Sequence, residues 1–327
     1  MNYIGSKLKL SRWIKEQISK KISSGLKDKV FCDIFAGTGV VARVFKKDVK
    51  LVISNDIEYY AYVLNRNYIG NHDKLKEKLK VITYLDNLSQ KKGGFIYKNY
   101  CSPANRLYFS DENGKKIDTI RSEIENYKKD EDLYYFLLAS LLESCDRVAN
   151  TASVYGAFLK KLKKTAQRKL VLKPAIYEEV ENKHLVFQKD ANELIREING
   201  DILYLDPPYN HRQYGANYHL LNTIAKYQEF KPKGKSGVGE YYRSNYCKLH
   251  EAKRSFENLI RDANFKYIFL SYNDEGVLER ETIGQIMSKY GTYSLIKRRY
   301  KRFKADKDKN RIFKRDEIYE YLHILEK

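Results

Sequence analysis

Asp206-Pro207-Pro208-Tyr209 places one carboxylate, two carbonyls on residues without an N–H, and one aromatic ring in four consecutive positions. The apolar run Ile202-Leu203-Tyr204-Leu205 before it reads as a buried strand, and the prolines forbid ladder pairing beyond its end. Each proline also biases the residue before it toward extended backbone, so Asp206 stands on a stiff, exposed turn. This set suits an amine. Asp206 and the Pro207 carbonyl accept its two hydrogens while Tyr209 stacks on the ring that bears it. The plain alternative is a strand-end turn in which Asp206 only caps and the prolines only stop the strand.

Three further strand ends carry groups of similar interest. Val30-Phe31-Cys32-Asp33-Ile34-Phe35-Ala36-Gly37-Thr38-Gly39 reads as a strand, a glycine turn and the start of a helix over Val40–Lys46. Gly37 and Gly39 allow a tight turn and a close approach by a ligand, although the third glycine of a dinucleotide fingerprint is absent. The strand Leu51–Ser54 ends at Asn55-Asp56, with Asp56 following Gly39 at roughly the spacing that offers a carboxylate to ribose hydroxyls. Asp56 could also cap a helix over Glu58–Tyr68. Leu185–Gln188 forms the third strand and leads to Asp190-Ala191. Glycine turn and acidic strand end together favour a nucleoside cofactor. In an open α/β sheet the ligand crevice lies off the carboxyl ends of the strands, so Phe35, Gly37, Asp56, Asp190 and Asp206 are expected to line one cleft.

The elements that must position these groups are interrupted by a segment of different character. Residues 71–185 contain a charged stretch at Lys74–Lys80 and loop signals at Gly93-Gly94 and Asn113-Gly114. A strong amphipathic helix follows over Glu131–Val148, then Tyr155 and Phe158 beside a basic run. Basic residues interleaved with aromatic ones suit phosphates and bases, although a solvated helix face would look the same. The division predicted is a catalytic α/β domain over 1–70 and 186–327 and an inserted region over 71–185. After the Asp-Pro-Pro-Tyr strand come a helix over His219–Tyr227, a glycine- and lysine-rich segment at Lys231–Tyr242 that reads as mobile, and a helix from about Cys247 to Ala263. The strand Tyr267–Leu270, the helix Glu279–Lys289 and a closing antiparallel hairpin, Tyr293–Arg299 with Glu317–Leu325, complete the chain; a basic loop, Lys301–Lys314, joins the hairpin strands.

Composition sets the bounds. The 327 residues are 43% hydrophobic and 13% aromatic, which argues against wholesale disorder. A net charge of +20, from 62 Lys+Arg against 42 Asp+Glu, favours a polyanionic partner. Lys, Asn, Ile and Tyr are abundant throughout, as an AT-rich genome would produce, so charge alone leaves nucleic acid an open question. Cys32, Cys101, Cys145 and Cys247 lie far apart and form no metal-type pair; reduced thiols are expected, with Cys32 and Cys145 buried. Neither a signal peptide nor a membrane-spanning apolar run is visible, which predicts a cytoplasmic protein without a membrane partner.

Taken together, the motifs resemble those of the Dam-like (α-class) DNA adenine methyltransferases, in that family's order. Tyr3 and Lys7, within Asn-Tyr-Ile-Gly-Ser-Lys, match its N-terminal cofactor motif, and Asp33 to Gly39 match its glycine motif. The resemblance implies S-adenosylmethionine as cofactor, contacted by Tyr3, Lys7, Asp33, Phe35, Ala36, Gly37, Gly39, Asp56, Ile57, Asp190, Ala191 and Asp206. Asp56 would take the ribose hydroxyls and Asp190 the cofactor adenine; Ala191 stands where relatives often carry an aromatic. Asp206, Pro207, Pro208 and Tyr209 would be the catalytic tetrad, and Ser271-Tyr272-Asn273 is similar to a later strand-end motif. The His219-Leu220-Leu221 helix and the Asn150–Lys160 block resemble one sub-branch of restriction-system methylases.

The fold implied is a Rossmann-like S-adenosylmethionine-dependent methyltransferase fold: a mixed seven-stranded sheet with a largely helical inserted target-recognition domain. The activity implied is direct methyl transfer, without a metal, to the N6 amine of an adenine flipped out of duplex DNA. Candidate DNA contacts are Asn150, Tyr155, Lys160, Lys161, Lys164 and Arg168 in the insert, and Asn210, Arg212, Gln213, Tyr214 and Tyr218 after the tetrad. The expected working form is a monomer on nucleoid DNA in a prokaryotic cell, with room for a cognate restriction endonuclease. Cytosine N4, an RNA adenine or a glutamine amide would fit the same amine cup, although glutamine enzymes usually bear Asn, and cytosine enzymes more often Ser, at the position of Asp206. A DNA-binding regulator on a silent scaffold and a nicotinamide dehydrogenase are the readings from other classes.

Overall fold

The computed structural model describes residues 6–274, 276–301 and 317–327. The chain divides into two compact units. One, the sheet unit, is built from Lys7–Ile57, His184–Gln213 and Tyr242–Lys327. The other, the helical unit, is built from Glu58–Lys183 and Tyr214–Tyr241, together with Ser6. The helical unit thus begins before the expected insert and takes in a second excursion after the tetrad.

Among the described residues seven strands form one sheet: β1 (Val30–Asp33), β2 (Leu51–Asn55), β3 (Leu185–Phe187), β4 (Asn199–Leu205), β5 (Asn264–Asn273), β6 (Thr292–Lys301) and β7 (Glu317–Glu326). Their order is β3-β2-β1-β4-β5-β7-β6, and only β7 runs antiparallel to its neighbours. This is the mixed seven-stranded sheet and closing hairpin expected. The order reverses direction at β1 and β4, the switch point where open α/β sheets bind ligands.

Among the described residues twelve α-helices accompany the strands: α1 (Ser11–Lys21), α2 (Val40–Phe45), α3 (Tyr59–Asn65), α4 (Lys78–Asp86), α5 (Phe95–Tyr100), α6 (Asp111–Ile124), α7 (Glu131–Val148), α8 (Ala191–Leu194), α9 (Tyr214–Asn217), α10 (His219–Lys226), α11 (Leu249–Asp262) and α12 (Arg280–Ser288). In the sheet unit, successive residues of β1 serve opposite faces, as strand geometry requires. Cys32 packs in a core with Phe256, Leu259 and Ile260 of α11 and Ile283, Ile286 and Met287 of α12. Phe31 stacks instead on Phe45 of α2, with ring centroids 4.0 Å apart.

The helical unit has its own core, formed mainly by Phe136, Leu137, Leu141 and Leu142 of α7, Ile117, Ile120 and Ile124 of α6, and Leu220, Leu221 and Ile224 of α10. Helix α6 runs straight through Asn113-Gly114, where a turn was expected. Two features override the turn signal. Ser110 caps the helix by accepting the Asn113 N–H, and Asp111 and Glu112 complement its N-terminal dipole. A Cβ on Gly114 would lie 2.3 Å from Cys101 Sγ, so this glycine serves close packing.

The Lys231–Tyr242 segment, expected to be mobile, is fastened. Arg106 donates to the Gly234 and Lys235 carbonyls, both at 3.2 Å, and the Tyr100 hydroxyl to that of Gly237 at 2.7 Å. All four cysteines are free and buried. Among the described residues no helix is long and apolar enough to cross a membrane.

Candidate active site

The carboxyl ends of β1, β2, β3 and β4 belong to the sheet unit and carry the groups singled out by their spacing. After β1 the chain turns through Gly37 (φ +53°) and Gly39 (φ +72°), left-handed backbone that glycine adopts without strain. The Ala36 N–H donates to the Asn55 carbonyl at 2.9 Å and the Gly37 N–H to Asp56 Oδ2 at 2.8 Å. Asp56 is therefore oriented by the glycine turn. It does not cap α3, whose N-terminal flanking residue is Glu58.

Asn55, only 1% exposed, was not singled out as a site residue. Its amide donates to the Ile34 and Lys189 carbonyls, both at 3.0 Å, and accepts the Lys189 N–H at 2.9 Å, fastening three strand ends together. A polar side chain closing an otherwise apolar strand was the signal that could have found it.

Asp190 caps α8 by accepting the Asn192 N–H at 2.8 Å, and its other oxygen accepts the Tyr242 hydroxyl at 2.5 Å. Ala191 is buried and offers no aromatic surface. Phe35 meets Tyr246 edge-on at 5.1 Å, and the Tyr246 hydroxyl donates to Asn192 Oδ1 at 2.9 Å. Neither Tyr242 nor Tyr246 carried a sequence motif.

At the end of β4, Asp206 Oδ1 lies 3.0 Å from Lys7 Nζ, and Lys7 Nζ lies 3.2 Å from Glu320 Oε1 on β7. Lys7 and Glu320 are 5% exposed and Asp206 18%. Asp206 Oδ1 has no donor aligned for a hydrogen bond among the described residues, so the short contact with Lys7 acts as an ion pair. Tyr209 packs edge-on against Tyr272 at 5.9 Å, its carbonyl accepts the Val277 N–H at 2.8 Å, and Lys7 Nζ stands 5.3 Å from its ring centroid.

Burial and charge compete here. The Asp206 carboxyl is pushed up to about 6, the net of burial, which raises it most, Lys7, which pulls it down, and Glu320, which pushes it up again. Burial would lower Lys7, but Asp206 and Glu320 overrule it and hold the ammonium well above its ordinary value. Asp33, 1% exposed, is raised well above the carboxylate range by burial and then by Asp206 and Asp56, against backbone N–H groups of Ala42 and Phe35. Such perturbed carboxyls concentrate where a fold does chemistry.

The remaining expected residues fall into two groups. Asn210 accepts the Arg212 N–H at 2.9 Å, a local turn, and the Arg212 side chain is exposed. Gln213 is committed to the Ser244 backbone at 2.8 and 3.3 Å. In the helical unit Lys160, Lys161, Lys164 and Arg168 are exposed and Tyr214 is half-buried. Asn150, Tyr155 and Tyr218 are instead fully buried, which corrects their expected place on a contact surface. Asn150 donates to the Leu107 and Leu159 carbonyls at 2.8 and 2.9 Å, and the Tyr155 hydroxyl donates to Asp146 at 3.0 Å. Their polarity is spent on the fold. Tyr3 and most of the basic loop, from Arg302 onward, lie outside the described residues.

An α/β unit with glycine turn, acidic strand ends and a carboxylate-proline-proline-tyrosine end defines a class of nucleoside-cofactor enzyme acting on amines. The chain matches the model of the D12 class N6 adenine-specific DNA methyltransferases over residues 3–286, and it belongs to that family. It is similar to the type II methyltransferase M.NlaIII of Neisseria lactamica, with 58% identity over 100% of this chain and 99% of that one. It also resembles M.CviAII of Paramecium bursaria Chlorella virus 1, at 40% over 93% of each chain. M.FokI of Planomicrobium okeanokoites is 38% identical over 100% of this chain but only 53% of its own length. The chain is thus an adenine-specific DNA methyltransferase.

Proposed function

We propose that methyl transfer takes place at Asp206-Pro207-Pro208-Tyr209, with S-adenosylmethionine held off the ends of β1 to β3. The donor set suits that cofactor. Asp56, aligned by the Gly37 N–H, faces the ribose hydroxyls; Gly37 and Gly39 let the backbone approach the methionine part; Asp190 and Ala191 border the adenine; Asp33, Phe35, Ala36 and Ile57 complete the lining. Lys7 approaches from the N-terminal segment, in whose sequence Tyr3 matches the cofactor motif. When bound, the cofactor supplies a sulfonium methyl group.

What this chain's residues do follows from an adenine amine being a poor nucleophile, its lone pair delocalised into the ring. Asp206 and the Pro207 carbonyl accept the two amine hydrogens and favour a pyramidal nitrogen, Pro208 stiffens the turn, and Tyr209 stacks on the flipped base. Most of the rate arises from positioning and from charge arranged for the transition state. The exposed Lys160, Lys161, Lys164 and Arg168, with Asn210, Arg212 and Tyr214, contact duplex DNA, and the helical unit reads the target. In this reading the enzyme works as a cytoplasmic monomer and protects DNA from a cognate restriction endonuclease; its likeness to type II methyltransferases is in keeping with that role.

One observation carries this reading: a nearly buried carboxylate at a proline-stopped strand end, paired to a buried lysine yet lacking an aligned donor. The test is Asp206→Ala. Methyl transfer should be abolished while S-adenosylmethionine affinity by calorimetry stays within about threefold, less than 1 kcal/mol. Normal turnover in that variant overturns the assignment.

A further inference from the structure

We propose that Glu320 is a positioning residue for methyl transfer: through Lys7 it fixes which oxygen of Asp206 is offered to the target amine and how much negative charge that oxygen keeps. The proposal rests on Asp206 being the amine acceptor.

The geometry is specific. An ammonium has three hydrogens and could fork across both oxygens of a single carboxylate. Here Lys7 Nζ is stretched between Asp206 Oδ1 at 3.0 Å and Glu320 Oε1 at 3.2 Å. Glu320 is itself held, because the Ser271 hydroxyl donates to the same Oε1 at 2.8 Å. Ser271 sits on β5 facing Leu322, two residues along β7 from Glu320, so both point to one face of the sheet. Lys7 is thereby kept on the buried Oδ1 side, and the residual exposure of Asp206 lies on the rest of its carboxylate. Without Glu320 the ammonium is free to lean onto Asp206 and neutralise the acceptor the amine needs.

Charge points the same way. One lysine between two carboxylates leaves the trio with a net negative charge, so Lys7 only partly quenches Asp206. The groups facing Asp206 are Lys7 on the turn before α1, Glu320 on β7, Tyr204 on β4 and Asp33 at the end of β1, with the Tyr209 ring over Lys7. Of these, Glu320 opposes the pull of Lys7.

Glu320 falls on the same strand face as Leu322 and Ile324 and is buried with them, a charge in an apolar stripe. Burying a carboxylate there costs free energy that a leucine would avoid, and the site supplies the reason to keep it.

The experiment is the pH dependence of single-turnover methyl transfer to duplex DNA by the full chain, with S-adenosylmethionine saturating. Wild type should lose activity through an acid limb near pH 6, as Asp206 takes up a proton. Glu320→Gln should move that limb to lower pH by about half a pH unit or more, because a neighbouring negative charge is gone, and lower the plateau rate about tenfold. Lys7→Met should move the limb the other way. Ser271→Ala, which keeps the charge and loosens its holder, should lower the plateau a few-fold with the limb in place, and serves if Glu320→Gln does not fold. A Glu320→Gln limb that coincides with wild type, or a Ser271→Ala plateau equal to wild type, overturns the proposal. Asp206→Asn separates the two readings. Normal turnover without an acid limb in that variant means that Asp206 is not the acceptor, whereas its inactivity beside an unmoved Glu320→Gln limb removes Glu320 alone.

Discussion

In the helical unit Arg121 is 2% exposed, yet its guanidinium donates to the carbonyls of Ile224 at 3.0 Å and Ala225 at 2.8 Å and pairs with Glu125 at 2.6 Å. Asp118 nearby accepts the N–H groups of Gly94, Ile96 and Tyr97 and the Tyr227 hydroxyl. The sheet unit buries Lys7, Glu320 and most of Asp206 as well, but an Asp206 oxygen is left without an aligned donor and the carboxyl is pushed up to about 6. Both regions bury charge. Around Arg121 and Asp118 the buried groups meet partners and the charge acts as scaffold; at Asp206 an acceptor is held back, which costs stability and is the place we propose for the target amine.

That contrast can be broken first on its largest effects. Asp206→Asn should lower turnover by at least about a thousandfold, roughly 4 kcal/mol of barrier, and leave the melting temperature unchanged or higher. Arg121→Met should do the opposite. It strands two carbonyls and costs about 3 kcal/mol of stability by denaturant titration, with turnover per folded molecule within about twofold of wild type. If Asp206→Asn unfolds the chain, or Arg121→Met is silent in stability, the distinction between scaffold and site fails.

Smaller effects sharpen it. Asp56→Ala should weaken S-adenosylmethionine binding about tenfold or more, in keeping with hydrogen bonds to a charged group, while the saturated rate changes little. Replacing Lys160, Lys161, Lys164 and Arg168 together with Gln should weaken DNA binding and flatten its dependence on salt by about one unit of slope per lost phosphate contact. An unchanged slope would return that surface to a solvated face. Tyr242→Phe frees one Asp190 oxygen and should change cofactor affinity by no more than about threefold, less than 1 kcal/mol.

Much of the fold was legible because short-range chemistry dictates it. The prolines end β4 where they must, the glycines turn after β1, and α7 spans Glu131–Val148, the range its apolar spacing predicted. What stayed hidden depended on contacts between distant segments. Asn113-Gly114 looks like a turn until Cys101 is seen against the glycine. Tyr155 and Tyr218 look like base-stacking rings until both prove to be fully buried. Glu320 could have been noticed as a charge in an apolar stripe, but only the pairing of β5 with β7 explains its partner Ser271.

The most direct test of the account is the fate of a labelled methyl group. Duplex DNA incubated with the chain and methyl-labelled S-adenosylmethionine, then digested to nucleosides, should yield its label as N6-methyladenine, and none should appear with Asp206→Ala. Label on cytosine, or label at the wild-type rate with Asp206→Ala, would contradict it.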